Sequence, residues 1–121
     1  MTAQITEPAA QAAESEPPSR LRNYMAALSL AEQIISDCTG TLPTSFKVLV
    51  HPWAPNEPEL RFYFHRDVPG MRQFRDDQML TETMQPRENG AVYCEAVRAD
   101  VRGVRVIAWT LTDPKSSAVA A

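Results

Sequence analysis

Two histidines, His51 and His65, are the side chains in this sequence best suited to binding a metal ion or moving a proton at neutral pH. They stand at opposite ends of a predicted β-hairpin whose connection covers residues 53–58. If His51 lies opposite Leu60, His65 is displaced along the strand by about five residues, or roughly 17 Å. The two rings cannot share an ion within one chain, so the sequence predicts no metal ligand.

Two cysteines, Cys38 and Cys94, are too far apart in sequence to form the close pair of a zinc or redox motif. We expect both to be thiols that pack as small apolar side chains. Cys38 lies near the predicted C-terminal end of a helix, where the negative end of the helix dipole raises a thiol pKa. Neither cysteine is therefore expected to act as a nucleophile.

Glu82 shares its alternation with Leu80 and Met84 on a predicted strand, so its carboxylate could face the core and serve as an acid or base. We favour the alternative that this strand lies near an edge and Glu82 reaches solvent, because isolated buried carboxylates are rare. The sequence lacks a G-x-S-x-G elbow, a phosphate-binding glycine loop and a dinucleotide fingerprint. It predicts no cofactor and no catalytic residue; an enzyme would need a pocket of converging polar groups.

Charge is divided unevenly along the 121 residues. The first eighteen contain three glutamates and no lysine or arginine, whereas residues 19–112 carry eleven basic and eleven acidic side chains. A neutral folded part disfavours non-specific binding to nucleic acid, which depends on excess positive charge. No apolar run reaches the roughly eighteen residues of a membrane span and no signal peptide is recognisable, so we expect no membrane partner and a cytoplasmic protein.

The elements that position these residues predict an α+β fold in the order α-β-β-α-β-β-β. We expect one domain at residues 19–112 and disordered tails at 1–18, where large apolar residues are few, and at 113–121. A helical crossover allows the second and third strands to run parallel, and the other consecutive strands are joined as hairpins. The expected result is a mixed five-stranded sheet with both helices on one face.

Two helices are predicted from apolar spacing and capping residues. Ser19 caps the first helix, which ends between Asp37 and Gly40 with the glycine in the left-handed conformation. Its apolar positions recur at three- and four-residue spacing: Leu21, Tyr24, Met25, Leu28, Ala31, Ile34 and Ile35. Asp67 caps the second, shorter helix, with Pro69 in its first turn.

Five strands are predicted, at residues 46–51, 59–66, 79–85, 91–97 and 104–112. Their alternation directs one set of side chains toward the helices: Phe46, Val48, Val50, Leu60, Phe62, Phe64, Val92, Cys94, Val104, Val106 and Ala108. The opposite, open face carries Lys47, Leu49, His51, Arg61, Tyr63, His65, Tyr93, Glu95, Arg105, Ile107 and Trp109. The expected register places Tyr93 directly across from Trp109.

Seven residues of the open face form the predicted interaction surface: Arg61, Tyr63, His65, Tyr93, Arg105, Ile107 and Trp109. Aromatic residues and arginine are enriched in protein interfaces, so we expect a protein partner or a homodimer. Single-stranded nucleic acid, with bases stacked on the rings, is the alternative that the neutral domain disfavours. Reversed parity of the last strand, which would turn Ile107 and Trp109 toward the helices, also stays open.

A second candidate contact is Trp53, in the proline-rich connection between the first two strands. We favour a side chain that folds back over the edge of the core, because a large ring gains from burial. The alternative is a projecting ring used for recognition.

The stretches LRFYFHR, GAVYCEA and VIAWTLT resemble small uncharacterised α+β proteins of actinobacteria and their phages. The resemblance covers the C-terminal half of the chain. It implies a bacterial or phage setting and brings no activity or functional residues with it.

Overall fold

A computed structural model of the protein describes residues 17–113, so the predicted tails at 1–18 and 113–121 lie almost entirely outside the described residues. Two helices and five strands follow one another in the predicted order. The helices are α1 (Pro17–Ser36) and α2 (Val68–Gln78). The strands are β1 (Ser45–Leu49), β2 (Glu59–Tyr63), β3 (Thr81–Pro86), β4 (Val92–Val101) and β5 (Val104–Leu111).

The five strands form one mixed sheet in the order β1-β2-β5-β4-β3, which confirms the predicted α+β fold. β2 and β5 are parallel, and the other neighbouring pairs are antiparallel. β2 and β3 run in the same direction, but β5 and β4 lie between them. The chain therefore crosses through α2 to the far edge of the sheet and returns by two hairpins to β2.

Both helices cover one face of this sheet and enclose the core with it. α1 contributes a buried stripe made of Ala27, Leu30, Ala31 and Ile34. From α2, the ring of Phe74 lies between two rings of the β2 region, with its centroid 5.0 Å from that of Phe62 and 5.3 Å from that of Phe64. These aromatic contacts fix α2 against the centre of the sheet.

The alternation predicted for β5 is confirmed, since Val104, Val106 and Ala108 are buried in the helix-covered core. The alternative in which Ile107 and Trp109 face the helices is thereby excluded. Thr110 lies on the same side and is fully buried, and its Oγ1 has no hydrogen-bond partner in the part of the chain that the structure describes. Phe46, predicted to face the core, is 39% exposed because β1 is an edge strand; its ring stacks on that of Phe62.

The first helix differs from the prediction at both ends. It begins at Pro17 and not after a cap at Ser19, because proline has a preset φ and lacks only an N–H that the first turn leaves unpaired. Gly40 does not adopt a positive φ. A Cβ at this position would lie 2.7 Å from Cγ of Gln73, so the close approach of α2 accounts for the glycine.

Part of the predicted apolar side of α1 lies in solvent. Leu21, Met25 and Leu28 are 61%, 54% and 42% exposed, so the prediction that they form the core side of the helix is wrong. At about 100° per residue they are centred roughly 140° around the helix from the buried stripe, on the side that faces away from the sheet. The small side chains of Ala27 and Ala31 explain why their side of α1 faces the sheet, because they allow the helix to approach the sheet closely.

The second helix begins as predicted, with Oδ1 of Asp67 accepting a hydrogen bond from the backbone N–H of Gly70 at 2.9 Å. It ends at Met79, whose φ of 58° and ψ of 49° are left-handed. The N–H of Leu80 then donates to the carbonyl of Arg75 at 2.9 Å. This C-terminal geometry normally selects glycine.

Replacing Met79 with glycine is expected to raise the free energy of unfolding by about 0.5–1 kcal/mol, because glycine adopts the left-handed conformation without the Cβ clash. The methionine side chain is 70% exposed, so little burial is lost. Urea denaturation measures the effect. Met79→Ala keeps the clash and is the matched control; an equal gain from alanine would contradict this explanation.

Candidate functional site

The open face of the sheet is organised around three aromatic rings on adjacent strands. Trp109 on β5 lies between Tyr63 on β2 and Tyr93 on β4, with centroid distances of 4.4 Å and 5.8 Å. All three side chains are half-buried. The predicted register is off by two residues, since Trp109 is opposite Glu95 and Tyr93 is opposite Leu111, so the Tyr93–Trp109 contact is diagonal.

Arg61 links the strands on either side of β5. Its Nη1 lies 3.3 Å from Oε2 of Glu59, and its Nη2 lies 3.8 Å from Oε2 of Glu95 and donates to the Tyr93 hydroxyl at 3.3 Å. Because β5 lies between β2 and β4, the side chain crosses over β5. Its register partner there, Ile107, is only 2% exposed. Ile107 was predicted to contact a partner, but it is buried between its register partners, Arg61 on β2 and Val97 on β4.

The polar groups around the rings form short, directed hydrogen bonds. The Tyr93 hydroxyl donates to Oε2 of Glu95 at 2.8 Å. Burial raises the pKa of Tyr93, and the Glu95 carboxylate raises it further, whereas Arg61 acts in the opposite direction. The phenol therefore remains a proton donor. The Tyr63 hydroxyl lies 2.7 Å from Nδ1 of His65. The rings are thus held in fixed orientations.

Two grooves open on this face and share Arg61. The first, of about 730 Å³, lies beside the β1–β2 connection, and its charged side chains are Glu57, Glu59, Glu95, Asp100, Arg61 and Arg105. The second, of about 570 Å³, is lined by Ser45, Lys47, Leu49, Arg61, Tyr63 and Trp109. We call them the acidic groove, with four carboxylates against two arginines, and the basic groove, which has no carboxylate.

Trp53 stands at the rim of the acidic groove and is 79% exposed, so the prediction that it folds over the core is wrong. One face of its indole stacks on the ring of His51, with centroids 4.6 Å apart and an angle of 12° between the planes. The histidine contact described above, with the Tyr63 hydroxyl, belongs to His65. His51 and His65 therefore have separate environments, as their spacing predicted.

The structure places six of the seven predicted residues on the accessible open face and buries the seventh, Ile107. Sequence reasoning missed Glu57, Glu59 and Arg87. Glu59 shares its alternation with Arg61, two residues later, and could have been found from that signal. Arg87, whose guanidinium carbon lies 5.0 Å from the Tyr93 ring centroid, follows β3, and nothing in the sequence indicates its orientation.

Glu82 faces the helices, and its side chain is only 11% exposed. It is not isolated: Arg72 Nη2 lies 2.9 Å from one carboxylate oxygen and Arg75 Nη1 lies 2.6 Å from the other. The hydrogen bond from Arg72, supported by Arg75, holds the pKa of Glu82 below its ordinary value. The favoured prediction of a solvated carboxylate is wrong, and this ion pair ties β3 to α2.

The cysteines have the packing that the sequence predicted. Cys94 is buried in the core, and Cys38 is half-buried against it. Burial raises the pKa of both thiols. For Cys38 the carboxylates of Asp77 and Asp37 add to this effect. Both environments disfavour the thiolate.

Within residues 17–113, no group of three or more histidine, cysteine, aspartate or glutamate side chains could hold a metal ion. Neither helix described here combines the length and the apolar content that crossing a membrane requires. No protein-family model, curated protein or solved structure matches the chain. The resemblance to actinobacterial and phage proteins therefore stays a prediction.

Glu82→Gln is expected to lower the free energy of unfolding at pH 7 by about 1–3 kcal/mol, because two arginines lose their charged acceptor. A carboxyl whose pKa is lowered on folding contributes stability above its unfolded pKa of about 4.3, and the contribution disappears as the pH falls through the folded-state pKa. Wild type and variant should converge on acidification, measured by urea denaturation across pH. Exposed Glu88→Gln is the control; a constant gap between wild type and Glu82→Gln would contradict the assignment.

Proposed function

We propose that this chain is a non-catalytic self-association module that forms a homodimer through the open face of its sheet. The observation that carries the proposal is the pair of oppositely charged grooves on one face. A two-fold axis between facing sheets would place each basic groove over the acidic groove of the second copy. Such self-complementarity is what an isologous interface requires.

The aromatic rings would supply the apolar centre of this interface. Tyr63, Trp109 and Tyr93 are half-buried in the single chain and lie in one row across three strands. Leu49 lines the basic groove, and Leu111, opposite Tyr93, is 39% exposed. Aromatic residues that are already held in place lose little conformational entropy on binding, which favours their use at an interface centre.

The cytoplasm is the compartment that we propose for this self-association.

Binding of single-stranded nucleic acid is a weaker proposal for the same face. Stacking rings are present, but Arg61 already contacts Glu59 and Glu95. Phosphates would also meet the four carboxylates of the acidic groove.

Opposite charge reversals test the proposed interface. Lys47 and Glu57 are both exposed, and each lies in one groove only. In the proposed dimer, Lys47→Glu or Glu57→Lys alone creates two like-charge contacts and should raise the dissociation constant at least about ten-fold. Mixing the two variants should restore association, because every contact in the mixed dimer again joins opposite charges. Analytical ultracentrifugation measures all three cases.

Arg22→Glu and Glu32→Lys on the exposed side of α1 make the same charge changes away from the face and should leave association unchanged. A wild-type chain that is monomeric at every concentration would contradict the proposal. So would reversals that weaken association but are not rescued by mixing. Salt-sensitive binding of a single-stranded oligonucleotide by the monomer would favour the nucleic-acid alternative.

A further inference from the structure

We propose that residues 1–16 of this chain dock in the basic groove and compete there with the second copy, so that the N-terminal segment sets the strength of self-association. This inference rests on the proposed function, because it concerns the regulation of the same face. When the protein is dilute, residues 1–16 of the same chain occupy the basic groove. Four features of the chain support it: the exit point of the segment, its charge, its reach and the side chains of the groove.

The first turns of α1 are tied to the β1–β2 connection beside the sheet. Nε of Arg20 donates to the carbonyl of Val50 at 2.8 Å, and Nδ2 of Asn23 donates to the carbonyl of Pro55 at 2.6 Å. Val50 directly follows Leu49, which lines the basic groove. The segment that precedes Pro17 therefore leaves the domain beside the β1–β2 connection, which follows β1 and also lines the acidic groove.

The charges of the segment and the groove are complementary. Glu7, Glu14 and Glu16 are the charged side chains of residues 1–16, which contain no lysine or arginine. The groove has no carboxylate, and its unpaired positive charge is that of Lys47, since Arg61 already contacts Glu59 and Glu95. Lys47 is exposed and forms no ion pair within residues 17–113, so its charge is available to an acidic segment.

The segment is long enough to follow the groove. Sixteen extended residues span up to about 53 Å. β1, which forms one wall of the groove, has five residues and a length of roughly 17 Å. Half of the segment is therefore sufficient, and Ile5 could reach the aromatic wall formed by Tyr63 and Trp109.

Docking of the segment and binding of a second copy are mutually exclusive, because both need the basic groove. The segment is attached to the domain, so it acts at a high effective concentration even if its contacts are weak. Exposed ion pairs of this kind are screened by salt. The inhibition should therefore be strongest at low ionic strength.

The experiment compares the full chain with the full-length variant Glu7→Gln, Glu14→Gln, Glu16→Gln. Removing the three charges should lower the dimer dissociation constant roughly three- to ten-fold at low salt, and the difference should shrink at high salt. The matched control, Gln4→Ala with Gln11→Ala, keeps all charges and should behave like wild type. In a Lys47→Gln background, the three glutamine substitutions should have a smaller effect.

A second measurement does not depend on dimer formation. The chain has two tryptophans, so a Trp53→Phe variant leaves Trp109 as its single fluorophore. In this variant carrying the three glutamine substitutions, added peptide 1–16 should change Trp109 emission and saturate, and a peptide with glutamine at positions 7, 14 and 16 should not.

The two proposals can fail separately. Equal dimer constants for the wild type and the three-glutamine variant, with no emission change on adding peptide, would overturn the docking inference and leave dimerisation intact. Saturable peptide binding by a chain that never dimerises would support docking and overturn the proposed function.

Discussion

The placement of β5 between β2 and β4 is the constraint on which the rest of the structure depends. β5 is parallel to β2 and antiparallel to β4, so it joins the N-terminal hairpin to the C-terminal strands. Its alternating side chains build both faces: Val104, Val106 and Ala108 enter the core, and Ile107 and Trp109 face the other way. The parallel pairing requires a crossover, which α2 begins and which Phe74 fastens to β2.

The open face follows from the same constraint. Because β5 separates Arg61 from Glu95, their ion pair must cross the strand, beside the buried side chain of Ile107. The arginine thus neutralises charge at the centre of the face, while Lys47 and the acidic residues near the β1–β2 connection stay at its ends. A surface with a ring-lined centre and oppositely charged ends is suited to a second copy of itself.

Local patterns of the sequence were sufficient to predict the element order, the face of each β5 side chain and the Asp67 cap, because alternation and capping depend on neighbouring residues. The strand order was not predictable in the same way. It depends on contacts between distant segments, and β2 and β3 are separated by two strands that follow them in the chain. A two-residue error in the β4–β5 register preserved every face but moved Tyr93 from opposite Trp109 to a diagonal position.

The burial of individual side chains was also not predictable from the sequence. Ile107 and Trp53 differ from the prediction in opposite directions. Ile107 is buried between Arg61 and Val97 of the neighbouring strands, whereas the ring of Trp53 stacks on His51 and is exposed. Glu82 was assigned to solvent because no partner for it was visible in the linear sequence. Arg72 and Arg75 reach it only after α2 and β3 have packed together.

We propose that the open face of the sheet carries the contacts of a homodimer. Nuclear magnetic resonance of the full chain over a dilution series, from millimolar to micromolar concentration, can locate these contacts residue by residue. If the dimer forms through this face, we expect concentration-dependent chemical shifts for the Trp109 indole and for Lys47, Tyr63, Tyr93 and Arg105, while the shifts of the exposed side of α1 stay constant. Spectra that do not change on dilution, or changes confined to α1, would contradict it.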